Sequence, residues 1–145
     1  MRASSILVLL LAAGASAGRA QTAADTAAIQ ATSHDYIDGW WTGDAPRMAR
    51  ALHSHLAKRM VMSDSTGQRS RLSDMTAMEL VQNVERGGGR QTPAEQRRSE
   101  VRILDVFRNA AVVRVDAGGW IDYLQLAKWN GEWKIVNVLW ELRPR

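Results

Sequence analysis

Asp122, Asn137 and Glu141 are the residues of this 145-residue chain whose types and spacing best suit chemistry. They lie in or just after one run, WIDYLQLAKWNGEWKIVNVLW, among tryptophans and aliphatic residues. Asn130-Gly131 sits between two strand-like halves, and Asn-Gly suits the positive φ angles of a type I′ turn. A two-residue loop pairs Trp129 with Glu132, Leu124 with Asn137, Asp122 with Leu139 and Trp120 with Glu141. One face then carries Trp120, Asp122, Leu124, Leu126, Trp133, Ile135, Asn137, Leu139 and Glu141. The other carries Ile121, Tyr123, Gln125, Trp129, Val136, Val138 and Trp140. Asp122 and Asn137 become diagonal neighbours, roughly 7–8 Å apart at the backbone. A carboxylate held there among apolar side chains would have its pKa raised, and could act as a general base or grip a polar ligand group. The same residue could equally cap a strand end or pair with an arginine.

Three further residues are candidates. Tyr36 and Trp40 fall with Ile29, Ser33 and Ile37 on one face of a helix over residues 25–41, so the Tyr36 hydroxyl could point into a pocket or be satisfied within a core. His53 could serve as an acid or an oxyanion donor. His53 and His55 fall short of the three or four ligands a zinc site needs, so no metal is expected. Gly87-Gly88-Gly89 follows a helix C-terminus, whose dipole repels anions, and it matches no phosphate or dinucleotide motif. There is no Gly-x-Ser-x-Gly elbow and no cofactor motif.

The elements that must position these residues can be read in order. Asp44 and Pro46 suit the start of a second helix. Residues 57–62 and 68–72 read as a first hairpin. Thr76 and Glu79 form a capping box for a third helix, with Met75 and Leu80 as its staple. Strands follow at residues 100–107, 111–116, 120–129 and 132–142. Short turns between them imply an antiparallel meander. Helices early and strands late are the order of an α+β fold.

The chain begins with a different signature. Arg2 precedes an apolar run from Ile6 to Ala13, and small residues offer cleavage sites between Ala17 and Ala20. This is the pattern of a secretory signal peptide, too short to span a bilayer. Residues 1–20 are therefore expected to be a signal peptide and residues 21–145 a single domain, periplasmic or secreted, with no membrane attachment after cleavage. Cleavage would remove Arg2, Arg19 and no acid, so a net charge of +4 falls to +2. That balance does not point to nucleic acid. With no cysteine, the chain has no disulfide and no thiol nucleophile.

Two stretches, DYIDGWWTGDAPRMARALH and WIDYLQLAKWNGEWKIVNVLWEL, resemble the nuclear-transport-factor-2-like superfamily. Within it, they resemble the putative lumazine-binding branch, near the SnoaL-like and ketosteroid-isomerase-like groups. The resemblance implies a cone: three N-terminal helices packed on a curved antiparallel sheet, the first hairpin beside the last strand, and a pocket inside. It also implies a homodimer across the outer sheet face, to which Ile121, Tyr123, Trp129, Val136, Val138 and Trp140 are assigned. The expected function is binding of a small apolar or aromatic molecule by Tyr36, Trp40, His53, Trp120, Asp122, Asn137 and Glu141. The alternatives are a cofactor-free isomerase, dehydratase or cyclase with Asp122 as general base, and a protein-interaction adaptor.

Overall fold

The computed structural model describes residues 12–144, with side chains from Thr22 onward. The expected signal peptide and its cleavage position lie outside the residues whose side chains are described. Helix α1 spans Ala12–Thr42 and ends at Gly43, whose φ of 68° reverses the chain. Helix α2, Ala45–Ala51, follows at once, and the Asp44 carboxylate caps it by accepting from the Arg47 N–H. The two helices cross at Gly39. A Cβ there would stand 3.0 Å from the Met48 nitrogen, so the missing side chain is what lets α2 lie against α1. Arg47 secures the crossing through Asp35 and Asp38, at 2.9 and 3.0 Å.

Strand β1, Leu52–Ser63, starts directly after α2 and turns into β2, Ser70–Thr76. Helix α3, Ala77–Glu85, begins at the Thr76–Glu79 capping box. Strands β3 (Glu100–Phe107), β4 (Ala110–Asp116), β5 (Trp120–Trp129) and β6 (Glu132–Leu142) complete one sheet in the order β2-β1-β6-β5-β4-β3.

Two features of the expected cone are corrected. The sheet is mixed, because β1 runs parallel to β6 while every other pairing is antiparallel. The first hairpin does lie beside the last strand, but it arrives from a helix on one face and so enters in the same direction. The helices are also not all N-terminal, since α3 comes after β2.

The register of the last hairpin holds a third correction. Asn130 and Gly131 both have positive φ, 51° and 85°, and Trp129 pairs with Glu132 as the turn requires. The pairing continues to Leu126 opposite Ile135, and then Gln125 stands opposite Asn137. Val136 is the extra residue of a β-bulge. Beyond it every partner is displaced by one, so Asp122 faces Trp140 rather than Leu139, and Trp120 faces Leu142 rather than Glu141. The inner face of β6 is therefore Trp133, Ile135, Val138 and Trp140. Val138 is 2% exposed and Leu139 54%. Val138 and Trp140 leave the assigned dimer surface, and Asn137, Leu139 and Glu141 join the outside.

The core gathers Ile29, Ile37 and Met48 from the helices against Val113, Leu124 and Ile135 from the sheet, all fully buried. Gly87 to Gly89 closes it at one end. The Gly89 N–H donates to the Trp40 carbonyl at 2.8 Å, and a Cβ on Gly88 would lie 2.7 Å from the same oxygen. The triglycine is thus a place where two backbones meet.

Candidate functional site

Between the helices and the inner sheet face lies a cavity of about 280 Å³. Its wall comes from α1 (Tyr36, Ile37, Trp40), α2 (Met48), β1 (Lys58), β2 (Met75), α3 (Leu80), β5 (Trp120) and β6 (Trp140, Leu142). Each strand contributes through its alternation, and β6 contributes in the phase set by the bulge. Trp120 is held edge-on to Trp40 at 6.4 Å between ring centres and tilted on Trp41 at 5.1 Å. The Trp41 indole N–H donates to the Arg98 carbonyl at 2.7 Å, fixing that stack from behind.

Lys58 is the charged group of this wall among the described residues. Its ammonium donates to the Asp122 carboxylate at 2.6 Å and to the Tyr36 hydroxyl at 2.7 Å. It also lies 4.8 Å from the centre of the Trp140 ring and 5.4 Å from that of Tyr36, both cation–π distances. The second Asp122 oxygen accepts the Trp120 indole N–H at 2.8 Å. Asp122 is fully buried behind the wall, with both oxygens engaged.

Burial lowers the Lys58 pKa from 10.5, and the Asp122 charge beside it works the other way. Burial, then the Asp122 charge and a hydrogen bond to it, push the Tyr36 phenol well above its usual value. Tyr36 is therefore a neutral hydroxyl at any ordinary pH. The cluster carries one positive and one negative charge and no net charge.

Of the residues expected to bind a ligand, Tyr36, Trp40 and Trp120 line the cavity. Asp122 lies one layer behind, orienting Lys58 and Trp120. Asn137 and Glu141 are on the outer face, where Asn137 donates to Gln125 at 3.0 Å across the strands. They were expected inside because an unbroken alternation puts them there. His53 is also remote. It sits at the start of β1 rather than at a helix end, with its ring 5.1 Å from Trp129 beside the hairpin turn. No group of three or more metal-ligating side chains exists among the described residues.

Lys58 escaped sequence reasoning because it is 64 residues from Asp122, in a strand with no local tie to the last hairpin. A usable signal was present. Leu56 and Lys58 share one face of β1, and Leu56 marks that face as the buried one.

Helices on one face of a six-stranded sheet, with an aromatic cavity between them, place the chain in the nuclear-transport-factor-2-like fold class. Within that class the chain belongs to the family described as putative lumazine-binding, whose model matches residues 24–141. Among solved structures, a nuclear-transport-factor-2-like protein of unknown function from Shewanella baltica is similar at a TM-score of 0.64 and 20% identity. The match covers 85% of this chain and 97% of that one. A second such protein, from Silicibacter pomeroyi, gives 0.60 and 20% over 84% and 98% of the two chains. A third, from Novosphingobium aromaticivorans and described as having a cystatin-like fold, gives 0.59 and 13% over 87% and 86%. No curated protein matches the sequence.

Proposed function

We propose that this chain is an exported binding protein, periplasmic or secreted, whose cavity holds one small aromatic or fused-ring molecule. The observation that carries the reading is the wall itself: Trp40, Trp120, Trp140 and Tyr36 around a single buried ammonium. Small-molecule sites are mostly apolar with a few placed polar groups, and run from about 300 to 1,000 Å³. A cavity of about 280 Å³ falls just below that range, which suits one or two fused rings. The description of the family names lumazine, and this supports the same size and shape of ligand.

The enzymatic alternative draws less support in the form that uses Asp122 as general base, because Lys58 and Trp120 already occupy both carboxylate oxygens. An adaptor would favour a cone collapsed on itself, and the open cavity weighs against it. The outer sheet face remains the proposed surface of a homodimer, now centred on Tyr123 and Leu139.

A thermal-shift screen of ring compounds, lumazine included, tests the binding reading, with tryptophan fluorescence as the second readout. Saturable quenching with no turnover is expected. Failure of every ring compound to bind would overturn it. Export is tested by the intact mass of the secreted form, expected to begin near Gln21; a mass retaining Met1 to Ala20 would refute it.

A further inference from the structure

We propose that Lys58 captures a carbonyl ligand covalently, as a protonated imine with an aromatic aldehyde. The inference rests on the binding reading and adds a reaction to it. A lysine that reacts with carbonyls must be reachable, partly deprotonated and protected from water. Lys58 stands in the cavity wall and is only 7% exposed. Burial lowers its pKa. Two of its three N–H bonds go to Asp122 and Tyr36, which leaves one direction beside the Trp140 ring.

The proton account closes within these residues. The ammonium passes one proton to the Asp122 carboxylate, 2.6 Å away, and becomes a free amine. The Nζ lone pair attacks the aldehyde carbon, the C=O π bond opens, and a proton moves from nitrogen to oxygen to give a carbinolamine. The Tyr36 hydroxyl, 2.7 Å from Nζ, hydrogen-bonds that oxygen. Asp122 returns its proton to the carbinolamine hydroxyl, water leaves, and the C=N bond forms. The iminium keeps the positive charge of the ammonium it replaces. It therefore keeps the ion pair with Asp122 and the aromatic face of Trp140, and no charge is stranded in the core.

The chain offers a clean test because it has three lysines, 58, 128 and 134. Lys128 is paired with Asp25 and Lys134 with Glu132, so both act as internal controls outside the cavity. The full chain is treated at neutral pH with 2-naphthaldehyde and sodium cyanoborohydride, and peptides are mapped by mass. Lys58 is expected to gain a naphthylmethyl group at least about tenfold faster than Lys128 or Lys134, because burial leaves it more free amine and the cavity wall holds the ring beside it. Excess 2-methylnaphthalene should slow labelling at Lys58 alone. In urea the three should label alike. Labelling spread evenly over the lysines of the folded chain would overturn the inference, as would an unmodified Lys58. If 2-methylnaphthalene still quenches tryptophan fluorescence in that case, the binding reading survives; if it and every other ring compound fail to bind, both fall.

Discussion

The Lys58 ammonium lies 2.6 Å from the Asp122 carboxylate, and the two side chains are 8% and 0% exposed. The pair joins β1 to β5 across β6, and it fixes the orientation of Tyr36 and Trp120 as well. A buried ion pair is weak evidence for stability, since desolvation offsets most of its attraction. It is strong evidence that neither partner can be removed alone.

Asp122→Leu should therefore cost about 3–5 kcal/mol, because it leaves the ammonium buried and unpaired. Lys58→Met in the same chain should recover most of that. A residual loss of about 1–3 kcal/mol is expected from the Trp120 indole N–H, which has lost its acceptor. Urea unfolding of the two single variants and the double variant measures the coupling. Additive losses would show that the pair does not act as a unit.

The bulge at Val136 changes which residue tests the dimer, from Trp140 to Leu139. Trp140→Ala should lower stability by up to about 3–5 kcal/mol, because it opens the cavity wall. Leu139→Glu should leave stability nearly unchanged and shift a dimer to monomer in light scattering, since Leu139 is 54% exposed on the outer face. A wild type of monomer mass at micromolar concentration would exclude that interface.

Glycine substitutions separate backbone conformation from close approach. Gly67 has φ 72° and open space around it, so Gly67→Ala should cost only about 1 kcal/mol. Gly88 has φ 52° and would place a Cβ 2.7 Å from the Trp40 carbonyl, so Gly88→Ala should cost more, about 1–3 kcal/mol beyond the first. Equal losses in urea unfolding would mean that the loop yields freely.

Stability should fall at both ends of the pH scale. At the acid end, burial works to raise the Asp116 pKa, but the Gly118 N–H and Arg143 outweigh it and hold it below 3.8. Asp35 is likewise held low by Arg50 and Arg47 against the effect of burial. Their contribution is complete above 3.8 and is lost as pH falls through the lower folded values. At the alkaline end the folded Tyr36 keeps its proton above 10.0 while the unfolded chain releases it, so stability falls as pH rises. Lys58 acts oppositely just below 10.5, where the folded chain loses its proton first and stability rises with pH. The net loss should thus begin before 10.5, where the unfolded Tyr36 is already mostly ionised and the opposing effect of Lys58 is fading. Melting temperatures from about pH 3 to 11 show the shape, and Tyr36→Phe should flatten its alkaline limb.

Local chemistry made much of the fold legible. Asn130-Gly131, Asp44 before Pro46, and Thr76 with Glu79 each act over a few residues, and each forms as its residue types require. The family was legible for the same reason, since its two stretches are a capped helix pair and a hairpin. What stayed hidden is non-local. Nothing in Lys-Ile-Val-Asn-Val marks Val136 as the residue that bulges; the register depends on β1 joining the far side of β6. The direction of β1 depends on where α2 ends, and the Lys58–Asp122 contact needs all of this at once. Tyr36, Trp40 and Trp120 could be placed from one helix and one strand. Asn137 and Glu141 could not, because their side of the sheet is decided by a single extra residue.

The bulge acts on β6 as a frameshift acts on a reading frame. Upstream of Val136, odd-numbered positions face inward; downstream, even-numbered ones do. The strand is thus two short messages in different phase, and each can vary without disturbing the other. Changes near the turn would remodel the packing beneath Trp133, while changes beyond residue 136 would reshape the cavity. Drawing Val136 into the regular ladder would bring the phases together, carrying Trp140 to the solvent and Glu141 into the chamber beside Lys58. A family that diversified its ligands on this scaffold would have in that position a one-residue means of exchanging an aromatic wall for an acidic one.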